Sequence, residues 1–216
     1  MDKEMFKTAF MESFDKKFPE RLSVFKDANY RALTELSELV FEINKCIIVE
    51  LHNAAITLTN HFLERLLKLA LIYNEVGVGP IPLEHWNDTF GEANKKYSSI
   101  SLSIAINKCE EYSLIMPAEK KFLHEIIRVQ LRNGFSHADP GMILKNIPRE
   151  NTFFQGSFST PNELTPIKMN QTDIPVFQSI LIRNFAKNNA EYYFDQVFEL
   201  SKRIENRLLE KFETIE

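Results

Sequence analysis

Glycine is scarce in this chain, with six in 216 residues. Turn-rich β architectures rely on glycine at left-handed positions, so the shortage favours helix. Cysteine is scarcer: only Cys46 and Cys109. Neither has a CxxC partner, and each stands among apolar neighbours in a helical pattern. Buried free thiols in a reducing compartment are expected, not a disulfide framework or a zinc site. No run of 18 apolar residues occurs, which argues against a membrane-spanning helix and a membrane partner. Nor is there a basic excess: 26 Lys and Arg stand against 30 Asp and Glu, a net charge of −4. A protein that coats nucleic acid with its whole surface is thereby excluded, although a local basic patch is not. The opening residues MDKEMFKTAF carry acids and no apolar leader core, so a cytoplasmic location is expected.

Several catalytic signatures are also missing. The five histidines, at 52, 61, 85, 124 and 137, form no HExxH and no His/Cys cluster, so no metal and no other cofactor is expected. Gly77-x-Gly79 lacks the third glycine or Lys-Ser/Thr of a phosphate loop. No nucleophile elbow is present.

What the chain does have is helical periodicity and 18 phenylalanines. Over 1–26, Met5, Phe6, Phe10, Phe14 and Phe18 recur at spacings of mostly three to four; Pro19 is expected to break this N-terminal extension into a helix and a short turn. Leu33, Leu36, Val40, Ile43 and Ile47 form one stripe, and Leu51, Ala55, Leu58, Phe62, Leu66, Leu69 and Tyr73 another, with a break expected near 50–53. Opposite the second stripe lie Thr57, His61, Glu64 and Lys68, the last two an i,i+4 ion pair in the favourable order. Thr89-x-x-Glu92 reads as a capping box opening a segment to about Lys96, and another helix is expected over about 98–115. Pro117 suits the first position of a helix over about 117–134. The excursion 139–173 contains Thr152–Phe158 of strand composition, an inserted loop or small β-hairpin. Asp173 is then expected to cap the C-terminal helix, whose apolar stripe is Val176, Ile180, Phe185, Tyr193, Val197, Leu200, Ile204 and Leu208, with a kink at 187–189. The fold expected is all-α: one domain over 1–216, a bundle of four to five longer helices with the insertion before the last.

The helix over 117–134 carries the chemistry. At 100° per residue, Lys121, Arg128 and Arg132 fall on one face, a positive line on an acidic protein. It ends in Leu131-Arg132-Asn133-Gly134-Phe135-Ser136-His137. Gly134 is expected to stop the helix and let the turn bring His137 round toward Arg132. Cleaving RNA without a metal needs a proton-transfer group near neutral pKa, which histidine supplies, and a cation for the charged phosphorane, which an arginine fork supplies. The amide of Asn133 could orient either. The same run also suits an ordinary helix C-terminus, with Arg132 solvated and His137 near the negative end of the helix dipole.

Arg132-Asn133-x-x-x-His137, closing a long amphipathic helix of an all-helical chain, resembles the HEPN superfamily (higher eukaryotes and prokaryotes nucleotide-binding domain) over about residues 28–200. The helix holding Glu64, Arg65 and Lys68 resembles that family's upstream helix with its acid and base. The resemblance implies a metal-independent endoribonuclease that acts as a homodimer, with two Arg/His pairs facing one cleft. Arg132, Asn133 and His137 would be catalytic, Lys121 and Arg128 would track the RNA backbone, and Glu64 and Lys68 would lend support. It further implies a role in toxin–antitoxin pairing, phage defence or RNA processing, with an antitoxin or regulatory protein as a possible partner. The alternative is a non-catalytic module that binds nucleotide or protein through the 139–173 excursion and the apolar C-terminal helix.

Overall fold

The computed structural model describes residues 2–125, 127, 133–136, 139–157 and 159–213. It is an all-α bundle with a two-stranded hairpin inserted before the last helix. In chain order run α1 (Lys3–Asp27), α2 (Ser37–Ile48), α3 (His52–Val76), α4 (Trp86–Tyr97), α5 (Leu102–Glu111), α6 (Pro117–Phe122), α7 (Asn133–Ser136), α8 (Pro140–Ile143), β1 (Glu150–Ser157), β2 (Thr160–Asn170) and α9 (Pro175–Glu213). Among the described residues no helix is long and apolar enough to cross a membrane.

The core is the meeting of α3 and α9. Tyr193 donates to Asn60 Oδ1 at 2.7 Å and Lys211 donates to Asn74 Oδ1 at 2.6 Å, so the two helices run parallel. Phe62, Leu66, Phe194 and Val197 are sealed between them, each contributing roughly 1.5–3 kcal/mol through burial. The α2 stripe of Leu36, Val40, Ile43 and Ile47 closes one side. The break expected near 50–53 falls at Glu50, which adopts the left-handed φ of 59°. On α6, Glu119 accepts from Arg203 Nε at 2.7 Å and from Arg207 Nη1 at 2.7 Å. Phe135 of α7 lies 6.0 Å from Phe185. The stretch from α6 to α7 therefore runs antiparallel to α9, and its end lies level with the first half of α9.

Several expectations need correction. Pro19 does not break α1, which stays helical across it. A proline in a helix interior costs about 3 kcal/mol; here Lys17 and Arg21 hold both flanks to Glu191 and Asp195 of α9, at 2.9 and 2.8 Å. Thr89 caps nothing: a 3₁₀ turn at Leu83–His85 leads into α4 at Trp86, leaving Thr89 inside the helix. The next helix starts at Leu102, where the Ser101 hydroxyl accepts from Ile104 N, and not at 98. Asp173 joins the hairpin to the helix by accepting from Arg149 and Asn170. Through 187–189 α9 is continuous, and the Asn189 amide donates back to Phe185 O at 2.7 Å. Cys109 is buried but Cys46 only partly so. Leu51, Val176 and Ile180, expected in apolar stripes, are 55%, 61% and 43% exposed.

The hairpin forms as its composition predicts. Glu150 pairs with Asn170 and Phe154 with Pro166, with an irregularity between Gln155 and Ser157. Its base is tied by Gln171, which donates from its backbone to Arg149 O at 2.9 Å and from its side chain to Pro148 O at 2.8 Å. Phe153 stacks on Phe177 of α9 at 4.6 Å.

Candidate functional site

The helix that leads to the Arg-Asn-x-x-x-His run is anchored at its start. Glu119 Oε2 accepts from Met116 N at 2.7 Å, and Glu119 also carries the bonds from Arg203 and Arg207. Burial acts to raise the Glu119 carboxyl, but the bonds from Arg207, Met116 N and Arg203 outweigh it and hold the group below the usual carboxylate range. Further along, Lys121 is exposed, Leu123 and Ile127 are buried, and His124 Nε2 lies 3.2 Å from Asn107 Oδ1.

Over 123–125 and at 127 the winding is π-type, a form concentrated at functional sites. The face expected to be shared by Lys121, Arg128 and Arg132 rests on residues past this winding. Arg128, Arg132 and His137 lie outside the described residues, and Asn133 is described by its backbone alone.

The described part of the motif corrects the reading of Gly134. The glycine does not end the helix: it is buried within the turn Asn133–Ser136. A Cβ placed on it would come 2.6 Å from Ile143 Cγ1 and 3.4 Å from Ile143 N. Glycine is there so that α8 can pack closely, not to free the chain. The exit from the turn is held by Asp139 N, which donates to Gly134 O at 2.9 Å, while the Asp139 carboxylate caps α8 through Gly141 N at 2.9 Å. Beyond it, a hollow of about 240 Å³ at the hairpin base is lined by Lys145, Arg149, Thr172 and Asp173 among others.

Glu64 and Lys68 form the expected ion pair, at 3.0 Å, and Lys68 also donates to Ser98 O at 2.8 Å. With His61, Arg65 and Asn94 they line an open cleft of about 350 Å³ between α3 and α4. No described residue of the motif segment joins them there. Next to this cleft is a second hollow of about 360 Å³ walled by Tyr73, Trp86, Phe90 and Glu35; Leu69, Ile72 and Asn94 border both. Trp86 and Tyr73 each meet Phe90 edge-on, at 6.3 and 6.1 Å. Burial, with the bond to Glu35, pushes the Tyr73 phenol up. Sequence reasoning missed this aromatic wall, although the spacing Trp86–Phe90–Asn94 is there to be read; taking Thr89 as a cap put Trp86 outside the helix.

Among the described residues no group of three His, Cys, Asp or Glu is placed to hold a metal ion. Burial raises the Cys109 thiol far above its ordinary range, which makes it an inert core group. No family model, no curated protein and no solved structure matches this chain.

Proposed function

We propose that this protein is a metal-independent endoribonuclease of the HEPN type, acting on RNA through Arg132, Asn133 and His137. The observation that carries the reading is the Arg132-Asn133-x-x-x-His137 run in the sequence of an all-α bundle. Three features lend support. The helix has π-type winding just ahead of the run. The turn after Asn133 is fixed by Gly134 against Ile143 and by Phe135 against Phe185. Lys145 brings positive charge to the hollow that follows, where Arg149 is paired with Asp173.

In this reading Arg132 holds the non-bridging phosphate oxygens. His137 takes the proton of the 2′-hydroxyl as its oxygen attacks phosphorus, and Asn133 orients the reacting groups. The bond to the 5′-oxygen breaks, that oxygen gains a proton, and the products are a 2′,3′-cyclic phosphate and a 5′-hydroxyl. Lys121 and Arg128 follow the RNA backbone, and a second copy of the chain completes the cleft. Purified protein should cut RNA in EDTA and leave cyclic phosphate ends, and His137→Ala should abolish the cutting. Equal trace activity in wild type and variant would end the proposal.

The second reading is a non-catalytic module that binds a regulatory protein or antitoxin through the hairpin. It is favoured by the exposure of Phe154 and Leu164 at 66% and 57%. Under it, removing 145–168 abolishes binding of that partner, while Arg132→Ala changes only stability.

A further inference from the structure

A large hollow lies away from the motif, between α1 and α2. It is open, about 630 Å³, and walled by Phe10, Phe14, Phe18, Phe25, Phe41 and Leu51 among others, with Lys45 and Cys46 as its polar members. The rings form a continuous ladder: Phe14 on Phe18 at 4.9 Å, Phe18 to Phe25 at 6.1 Å, Phe25 to Phe41 at 5.0 Å. Toward the start of α1 the apolar face continues without cover. Met5, Phe6, Phe10 and Met11 are 61%, 59%, 44% and 43% exposed, and Phe41 and Leu51 are 46% and 55% exposed. The ties of α1 to the bundle begin only at Lys17 and Arg21. Among the described residues, no side chain of 3–13 hydrogen-bonds or ion-pairs with another element.

We propose that this face docks on a second copy of the chain, the start of α1 from each protomer lying in the α1–α2 groove of the other. Three observations select that occupant. First, ridge and groove occur on the same element, so one two-fold axis satisfies both at once. Second, at roughly 200 Å² per large side chain the exposed parts of Met5, Phe6, Phe10, Met11, Leu22, Phe41 and Leu51 come to about 700 Å², more than a monomer ordinarily leaves uncovered. Doubled, that is about 1,400 Å², the size of a standard specific interface. Third, the charge suits protein and not lipid. α1 carries six basic and five acidic residues, whereas a helix that lies on an anionic bilayer has a strongly basic face. Over 3–13 exposed Lys3 and Lys7 balance exposed Glu4 and Glu12, and Lys45 sits 4.3 Å over the Phe41 ring in the groove, so neither surface carries a one-sign field that would repel its own copy. This pairing does not rest on the ribonuclease reading and uses a different face from the motif.

The test is the mass of the full chain by sedimentation velocity over a concentration series, for wild type and for Phe6→Glu/Phe10→Glu. Both residues are exposed, so the double variant should keep the wild-type circular dichroism and melting curve. Wild type should associate, and the variant should lose one association step, its Kd raised at least tenfold: down to a dimer where the motif face also pairs, down to a monomer where it does not. Cys46 gives an independent readout, since it lines the groove: maleimide should label it slowly in associated wild type and faster in the variant, with buried Cys109 unlabelled in both. A wild type that is monomeric at every concentration overturns the proposal. So does a variant whose mass matches wild type over the whole concentration series, which would place the contact elsewhere, the motif face included. Binding of monomeric wild type to phosphatidylglycerol vesicles, lost in the variant, overturns it in favour of a membrane surface. RNA cleavage and its loss in His137→Ala are measured separately, so either idea can fail alone.

Discussion

Gly134 and Ile143 touch where no side chain could fit between them: a Cβ on the glycine would lie 2.6 Å from Ile143 Cγ1. The clash would be with the inner part of a β-branched side chain and, at 3.4 Å, with its backbone nitrogen, neither of which can swing aside. Gly134→Ala should therefore cost about 1–3 kcal/mol of overpacking, although alanine is the better helix former. Chemical denaturation of the variant measures it. If alanine stabilises the protein instead, the close approach of α7 and α8 is not what the glycine serves.

Glu119 supplies an acid-sensitive anchor on α6. Its folded-state pKa is lowered, so the unfolded chain binds the proton more readily. The stabilisation is full above the unfolded value of about 4.3 and is lost as pH falls through the folded value. Glu119→Gln weakens the bonds to Arg203 and Arg207 and should cost about 1–3 kcal/mol at pH 7. Urea melts of wild type and variant should converge below pH 4; a constant gap would show that the arginines contribute nothing through charge.

His52 shifts in the same direction as Glu119, but through burial of its ring and not through ion pairing. Its Nε2 is buried with no hydrogen-bond partner. Burial lowers its pKa from the ordinary 6.5; Glu50 and Glu191 pull it up, while Lys187 and Lys17 push it down. The unfolded state then binds the proton more readily, so stability is full above pH 6.5 and falls as pH drops through the folded value. His52→Gln should flatten stability between pH 7.5 and 5 relative to wild type, read from melting temperatures. An unchanged slope would assign the pH dependence to other groups.

For the ribonuclease reading, His137→Ala and Arg132→Ala should each lower cleavage by about 10²–10⁴-fold, the range for a lost acid–base or phosphate-stabilising group. Lys121→Ala should leave the cleavage step intact, weaken RNA binding evenly across sequences, and reduce the salt slope by about 1. A sequence-selective effect of Lys121→Ala would mean that it reads bases.

The hairpin is a separable attachment. Phe153 stacks on Phe177 of α9, and Gln171 ties the base. Replacing 151–169 with a short Gly-Ser turn should change the melting temperature by only a few degrees. A collapse of the melting curve would show that the bundle depends on it.

Much of the bundle was legible in the sequence because helices are local. The recurrence of Leu36, Val40, Ile43 and Ile47, the start at Pro117 and the strand composition of 152–158 each report on their own neighbourhood, and each element formed where its pattern stands. The Glu64–Lys68 pair is local in the same sense, one helical turn apart. Errors came where a distant partner decides. Pro19 is tolerated because Glu191 and Asp195, over 170 residues away, hold its flanks. Gly134 reads as a breaker until Ile143 is seen against it. Met5, Phe6, Phe10, Leu51, Val176 and Ile180 have the same periodicity as the core, and only the packing of whole helices leaves them uncovered. A period of 3.6 says that one face of a helix is apolar; it does not say whether the chain has anything left to place on that face. By itself the sequence determined the helices, the hairpin and the Arg132–His137 run. The tertiary structure decided which apolar faces close the core and which remain for a partner, because burial is a property of two surfaces and the pattern describes only one.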